Sequence, residues 1–344
     1  MADPGLMPIP RTACPPLSEF EALEAGKLAE AQADHIREHV EHCAACVLVA
    51  ARVFGRERRA LAAGSVLDDR YELTKIIGSG GLGTVWEARE LRGGDLVAIK
   101  ILNTSEPDPI RRFVQREARI GLRMQAAGFV RVRELLSLEG GRPALVMDRL
   151  FGKTLAQRMK SGEPLPVHEA LAILRPLSAA LVALHKLQVA HRDLTPNNIY
   201  LEQDLSDANG GAFKTIRILD LGFARSMERS RETASAKTIT AKGVVFGTEG
   251  YMAPEQLFAR AAGTPADIWS LGSVAYFMLT GRCYVGVMSV DGGYGGWVPK
   301  PTPDLSALTD TLPESLRQLI EGSLQANPSQ RTTARAWRDA LAGV

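Results

Sequence analysis

Long apolar runs, net charge and cysteine are all scarce in this 344-residue chain. No segment approaches the roughly 18 consecutive apolar residues that span a bilayer, and the longest candidate, Leu271–Leu279, is far too short. No basic start followed by an apolar stretch opens the chain, so no secretory leader is expected. A formal net charge of +2 supplies no bulk attraction to nucleic acid or to an anionic membrane surface. Four cysteines are too few for a disulfide scaffold, which makes a reducing, cytoplasmic setting the expectation. Internal repeats and low-complexity tracts are absent. What remains, 45% hydrophobic and 23% charged residues, is ordinary for a globular protein and sufficient for a packed core. At about 150 residues per domain, the length fits roughly two domains.

Residues 1–13, with three prolines, read as a tail. Residues 17–50 read as helical, with Leu23, Leu28, Ile36, Val40, Val47 and Leu48 near helical spacing. A charged, alanine-rich stretch follows, and 55–70 is taken as a linker. The texture then changes. Residues 71–77, 84–89, 96–102, 132–138 and 143–147 read as strands, and 110–125 as a helix. Beyond Gly152 the chain is mostly helical, over 168–187, 254–260, 265–280, 313–325 and 330–342, with a glycine-rich loop at 291–297. Strands first and helices later predict an α+β chain with segregated parts.

Gly78-Ser79-Gly80-Gly81-Leu82-Gly83-Thr84-Val85 fits G-x-G-x-x-G-x-V. A dinucleotide fingerprint runs strand, glycines, helix. Here alternation continues beyond the glycines, which places them within a hairpin whose tip can lie close over phosphates. The GK[ST] of a Walker loop does not follow. Val97-Ala98-Ile99-Lys100 ends the next strand, and its lysine offers a point positive charge for phosphate oxygens. A carboxylate is needed to aim it. Between Pro109 and Arg133 the only one is Glu117, on a helix crowded with arginines.

His191-Arg192-Asp193-Leu194-Thr195-Pro196-Asn197-Asn198 fits H-R-D-L-x-x-x-N, and Asp220-Leu221-Gly222 follows a strand-like stretch. Phosphoryl transfer asks a protein chiefly for positioning and charge neutralisation. One carboxylate must orient the attacking hydroxyl. A second carboxylate and an amide oxygen suit magnesium, a hard cation that prefers oxygen ligands.

With these motifs in this order, residues 71–342 resemble the protein kinase family, of the bacterial serine/threonine type. The resemblance implies a two-lobed fold with a β-rich N-lobe (71–147), a hinge (148–150) and a helical C-lobe (151–342). ATP and Mg2+ would be the cofactors, and proteins the substrates. Ile77, Gly78, Ser79, Gly80, Gly81, Leu82 and Gly83 would cover the ATP phosphates. Lys100 would contact the α- and β-phosphates and pair with Glu117. Val85, Ala98 and the gatekeeper Met147 would line the adenine pocket, with the Asp148 and Leu150 backbones bonding adenine. Asp193 would orient the hydroxyl as catalytic base, and Asn198 and Asp220 would hold magnesium. Gly247–Glu255 resembles the stretch that closes the activation segment, Asp267–Gly272 the buried helix that steadies the catalytic loop, and Arg331 the partner of Glu255.

The G-T-x-x-Y-M-A-P-E form, without the alanines and arginine of tyrosine kinases in the catalytic loop, implies serine/threonine specificity. Three positions depart from the family pattern. Thr195 stands where a lysine usually serves the transferring phosphate, Leu221 replaces the usual phenylalanine, and Gly121 stands where a bulky apolar residue is common. Among Ser226, Ser230, Thr233, Ser235, Thr238 and Thr240 in the activation segment, the last four are the expected autophosphorylation sites, with Arg192 placed to read the phosphate. An ATP-binding scaffold without activity is the rival reading, and Thr195 is what favours it.

Three of the four cysteines fall within the first 46 residues. His39-x3-Cys43-x2-Cys46, with Cys14 upstream, supplies the four N/S ligands of a closed zinc site. The cluster resembles the zinc-binding anti-sigma-factor domain over 14–54, which implies a small helical module holding structural Zn2+ and binding a regulatory protein. A metal-free dithiol switch and ordinary reduced cysteines are the alternatives, and a role in transcription regulation through this module is a further one.

Overall fold

The computed structural model describes residues 15–42, 46, 49, 53, 61–80, 83–102, 122, 128–138, 142–203, 213–219, 225–226, 250–257, 262–284, 287–288, 297–298, 303–305 and 312–343. Two short helices come first, α1 (Leu17–Glu24) and α2 (Glu30–His42). The single helical run expected over 17–50 is broken at Gly26, whose φ of 63° lies in the left-handed region that glycine tolerates.

A six-stranded antiparallel sheet follows, in the order β1-β2-β3-β4-β6-β5. Its strands are β1 (Val66–Leu67), β2 (Tyr71–Gly80), β3 (Gly83–Glu90), β4 (Leu96–Leu102), β5 (Val132–Ser137) and β6 (Pro143–Asp148). β1 lies inside the stretch read as linker and pairs with the start of β2. The expected helix over 110–125 lies outside the described residues, apart from a helical Leu122.

Period-two alternation sorts the sheet into two faces. Trp86, Ala88, Val97, Ile99, Ile101, Ala144 and Val146 are buried together in the N-lobe core. The opposite face carries Val85 across from Lys100, Glu87 across from Ala98, and Met147 across from Ala98 on the far side. Burial of each branched side chain on the core face is worth about 1.5–3 kcal/mol. A slip of one residue in β4 would turn Val97, Ile99 and Ile101 outward and Lys100 into the core, so the apolar pattern fixes where the lysine points.

The second half is helical around a larger core. β7 (Gly152–Thr154) runs into α3 (Leu155–Arg158), where Thr154 and Gln157 form a reciprocal capping box. α4 (Val167–Lys186) buries Ala170, Ile173, Leu174, Leu177, Leu181 and Leu184 at helical spacing. By length and composition it is long and apolar enough to cross a membrane, but it is a core helix of this lobe. β8 (Val189–Ala190), β9 (Ile199–Gln203), β10 (Phe213–Ile218) and β11 (Arg225–Ser226) surround the site, with sheets ordered β10-β9-β7 and β11-β8. α5 (Pro254–Leu257), the almost wholly buried α6 (Thr264–Thr280), α7 (Glu314–Ser323) and α8 (Ala334–Leu341) complete the lobe. Buried Trp337 donates its indole N–H to Ser323 Oγ at 2.8 Å, so it carries no orphaned donor into the core. Val287–Met288 and Trp297–Val298 pair as β12 and β13, which brackets the expected glycine-rich loop.

A third apolar cluster joins the N-terminal helices to the sheet. Phe20, Ile36, Cys46 and Val53 are buried with Leu102 at the end of β4, and Leu135 of β5 packs against them.

Candidate active site

The loop between β8 and β9 carries His191, Asp193 and Asn198. Asn198 donates its amide N–H groups to the Asp193 carbonyl and to Asp193 Oδ2, both at 2.8 Å. The amide nitrogen is thus committed to Asp193, and the amide oxygen faces away from it as a candidate oxygen ligand. His191 is fully buried. Its Nδ1 accepts from the Asp193 amide at 3.2 Å, so the Nε2 side carries the proton and donates to the Leu219 carbonyl at 3.1 Å. Leu219 immediately precedes Asp220, so His191 joins the loop of Asp193 to the strand that leads to the second acidic residue. Asp220 itself, with Leu221, lies outside the described residues.

Arg192 has φ of 65°, a conformation that costs a side-chain-bearing residue of order 1–3 kcal/mol and persists only where its surroundings enforce it. The enforcement is visible. Asp267 of α6, fully buried, accepts from the His191 amide at 2.9 Å and the Arg192 amide at 2.7 Å, and His185 Nε2 lies 2.8 Å from Oδ2. From the other side Gln256 donates to the Arg192 carbonyl at 2.7 Å while its Oε1 accepts from the Ala253 amide. Asp267 was legible as a steadying residue from its motif. Gln256 was not, because its contact spans 64 positions with no periodic signal.

In the N-lobe, Gly78 pairs with Val85, Ser79 with Thr84 and Gly80 with Gly83. The glycines therefore sit within a hairpin, as expected, and not at the start of a helix. A Cβ on Gly83 would land on the Ile101 carbonyl oxygen, so the loop abuts the strand of Lys100. Lys100 is 8% exposed and shares the sheet face opposite the core with Val85, Ala98 and Met147. Ile77 lies exposed on the β2 approach. Gly81, Leu82, Glu117 and Gly121 lie outside the described residues.

Two arginines hold the segment at the end of β6, residues 148–150, which the sequence reads as a hinge. Arg133 donates to Asp148 Oδ1 at 2.7 Å, and the Asp148 amide donates to the Arg131 carbonyl at 3.0 Å. Arg149 donates to Glu87 Oε2 at 2.8 Å and to the Leu150 carbonyl, which also accepts from the Tyr200 hydroxyl at 3.3 Å. Burial acts to raise the Glu87 carboxyl, but the Arg149 guanidinium, joined by Thr74 and Lys75, holds the group below the usual carboxylate range.

Just before α5, Ser270 donates to the Tyr251 carbonyl at 2.8 Å, and Cys283 Sγ lies 3.4 Å from the Tyr251 hydroxyl. Burial, reinforced by Cys283, pushes the Tyr251 phenol upward. Arg331 meets Glu255 in a fork, with bonds of 2.7 and 2.8 Å. Ser226 pairs with Val189 in β11, whereas Ser230, Thr233, Ser235, Thr238 and Thr240 lie outside the described residues.

Of the expected zinc ligands, His39 is half-buried and Cys46 is buried in the apolar cluster, while Cys14 and Cys43 lie outside the described residues. Among the described residues no group of three His, Cys, Asp or Glu is placed to hold a metal.

The comparisons agree with this geometry. Residues 71–340 match the protein kinase domain family. Serine/threonine-protein kinase PknA of Mycobacterium tuberculosis is 32% identical over 292 residues, covering 82% of this chain and 62% of its own length. PknL of the same organism is 30% identical over 271 residues, 78% of this chain and 63% of its own. Serine/threonine-protein kinase pkn2 of Myxococcus xanthus is 33% identical over 220 residues, 63% of this chain and 25% of its own. The chain thus spans less than two thirds of the length of each of these relatives. A glycine hairpin abutting a cleft-facing lysine strand, an Asp–Asn pair on an anchored loop and a match over 71–340 place the chain in the protein kinase domain family.

Proposed function

We propose that the chain is a serine/threonine protein kinase that transfers the γ-phosphoryl group of ATP to hydroxyls of protein substrates, itself included. The observation that carries this reading is the Asp193–Asn198 pair on a loop whose backbone is anchored by Asp267. Bound ATP and Mg2+ supply the transferable phosphoryl group and most of the charge neutralisation. The chain's own residues position and protect. Asp193 accepts the hydrogen bond of the attacking hydroxyl and orients it. The Asn198 amide oxygen and Asp220 are the hard oxygen donors suited to magnesium. Lys100 would meet phosphate oxygens, with Glu117, which lies outside the described residues, as the carboxylate that the family resemblance gives it. Val85, Ala98 and Met147 form the apolar walls for the base.

Thr195, buried and uncharged, leaves the transfer without the usual lysine. Loss of one preorganised donor to a transition state costs about 10²–10³ in rate elsewhere, so slow turnover is expected. This same residue favours the scaffold reading. Radiolabelled ATP with Mg2+, given to the full chain and to Asp193→Asn, separates the two. Label on the wild type alone supports the kinase. ATP binding without label on either supports the scaffold.

For the N-terminal helices we propose a structural zinc held by Cys14, His39, Cys43 and Cys46, with a regulatory protein as the partner of the module. The donor chemistry of three thiolates and one imidazole supports it. One zinc per chain in metal analysis of the purified protein is the expected result, and its absence would overturn the site. Co-purification of a sigma factor would favour a role in transcription.

A further inference from the structure

The cleft face of the N-lobe sheet contains a charge that none of the roles above uses. Glu87 lies two residues beyond Val85 on β3, directly across from Ala98, and is 7% exposed. A buried carboxylate beside the adenine walls is costly unless it is paired and hydrogen-bonded. Its partners converge from two directions. Thr74 Oγ1 donates to Oε1 at 3.2 Å and Lys75 Nζ lies 3.4 Å from the same oxygen, both within the sheet. Arg149 reaches the other oxygen from the hinge, at 2.8 Å.

Arg149 does more than neutralise Glu87. Its second nitrogen donates to the Leu150 carbonyl, and its guanidinium lies 4.7 Å over the Phe151 ring. Tyr200, on β9 of the other lobe, donates to the same Leu150 carbonyl. One guanidinium therefore connects a strand of the N-lobe to the hinge peptide, which the C-lobe grips through Tyr200. The Leu150 carbonyl is committed to protein donors, and the orientation of the hinge segment is set by groups on both lobes.

Building on the kinase reading, we propose that Glu87 and Arg149 are positioning residues of the nucleotide site. Together with the Tyr200 hydroxyl they clamp the hinge so that its backbone is presented to the base in one orientation. The clamp touches neither phosphate nor hydroxyl, so it acts on nucleotide affinity and leaves the transfer step alone.

The test uses the full chain and two readouts: binding of ATP·Mg2+ by calorimetry, and kcat with KM for ATP where labelling is measurable. Arg149→Met and Glu87→Gln are each expected to weaken ATP binding and raise KM by about tenfold, the loss of one charge-assisted bond, with kcat within about twofold. Arg149→Lys keeps the charge opposite Glu87 and should recover part of the loss. Tyr200→Phe, which removes only a hydroxyl, should cost less than either, and it guards against a misfolded variant being misread. The double variant should be no worse than the weaker single one, because the two residues act as a unit. Unchanged ATP affinity in Arg149→Met and Glu87→Gln, with the wild type binding normally, would overturn the clamp alone. A wild type that binds no ATP would overturn the kinase reading and the clamp with it.

Discussion

Arg331→Met should be among the most damaging single changes outside the cleft. The guanidinium gives two bonds to Glu255 and further bonds to the carbonyls of Gln325, Pro265 and Ala326 at 2.8, 2.9 and 3.2 Å. It also lies 5.1 Å over the Trp269 ring. The side chains of the pair are 0% and 3% exposed, so water cannot replace what is lost. Methionine would leave a buried carboxylate without its counter-charge, a change worth about 3–5 kcal/mol. At roughly 2–4 °C per kcal/mol for a domain of this size, the melting point should fall by about 6–20 °C. Urea unfolding followed by tryptophan fluorescence would report it, since Trp269 sits at the site. Arg331→Met combined with Glu255→Leu removes both charges, and should be more stable than Arg331→Met alone. It should still fall short of wild type, because three carbonyls lose a donor at about 1 kcal/mol each. A single-variant loss below about 1 kcal/mol, or a double variant at least as unstable as the sum of the singles, would refute the argument.

Asp267→Asn exchanges one carboxylate oxygen for an N–H group facing the amides of His191 or Arg192; kcat should fall by about 10–100-fold, from the loss of charge-assisted bonds worth about 1.5–3 kcal/mol each, with KM for ATP little changed. Equal effects on both constants in steady-state kinetics would count against a loop-anchoring role. Gly83→Ala should weaken ATP binding and stability, since its Cβ meets the Ile101 carbonyl, whereas at Gly78 a Cβ would meet Val85 at an ordinary 3.6 Å and should be tolerated. Binding titrations on the two variants decide it, and equal tolerance would contradict the close approach. The Glu87 carboxyl is depressed on folding, so it contributes stability above its unfolded pKa, and that contribution is lost as pH falls through the depressed value. The melting-point gap between wild type and Glu87→Gln should therefore be largest near neutral pH and shrink towards pH 4. A gap independent of pH would remove Arg149 as the cause.

What could be read from the residues alone follows from what the chemistry demands. Phosphoryl transfer needs a glycine-lined approach, a lysine and a carboxylate–amide pair, so Gly78 to Gly83, Lys100, Asp193 and Asn198 were legible as residue types at fixed spacing. The face on which Lys100 lies came from the strand register, where it stands across from Val85. The contacts of Glu87 with Arg149 and of Gln256 with Arg192 were not legible. They join residues 62 and 64 positions apart, and neither pair belongs to a periodic pattern. The break between α1 and α2 was missed because the apolar spacing runs on across Gly26, whose backbone conformation overrides it. The left-handed Arg192 had no signal at all, since its cause is a carboxylate 75 positions away.

The apolar cluster that joins the N-terminal helices to the sheet changes where this molecule, as a physical object, begins. Family resemblance starts at residue 71, but Phe20, Ile36, Cys46 and Val53 are buried in the same cluster that covers Leu102. Leu135 belongs to that cluster and also packs with Val132 and Leu145, as does Met147. A chain trimmed to residues 71–340 would uncover apolar surface around Leu102 and Leu135, in the cluster next to the one that Met147 joins. The family match and the packed apolar surface therefore start at different residues, and Phe20, Ile36, Cys46 and Val53 belong with the sheet that Leu102 ends.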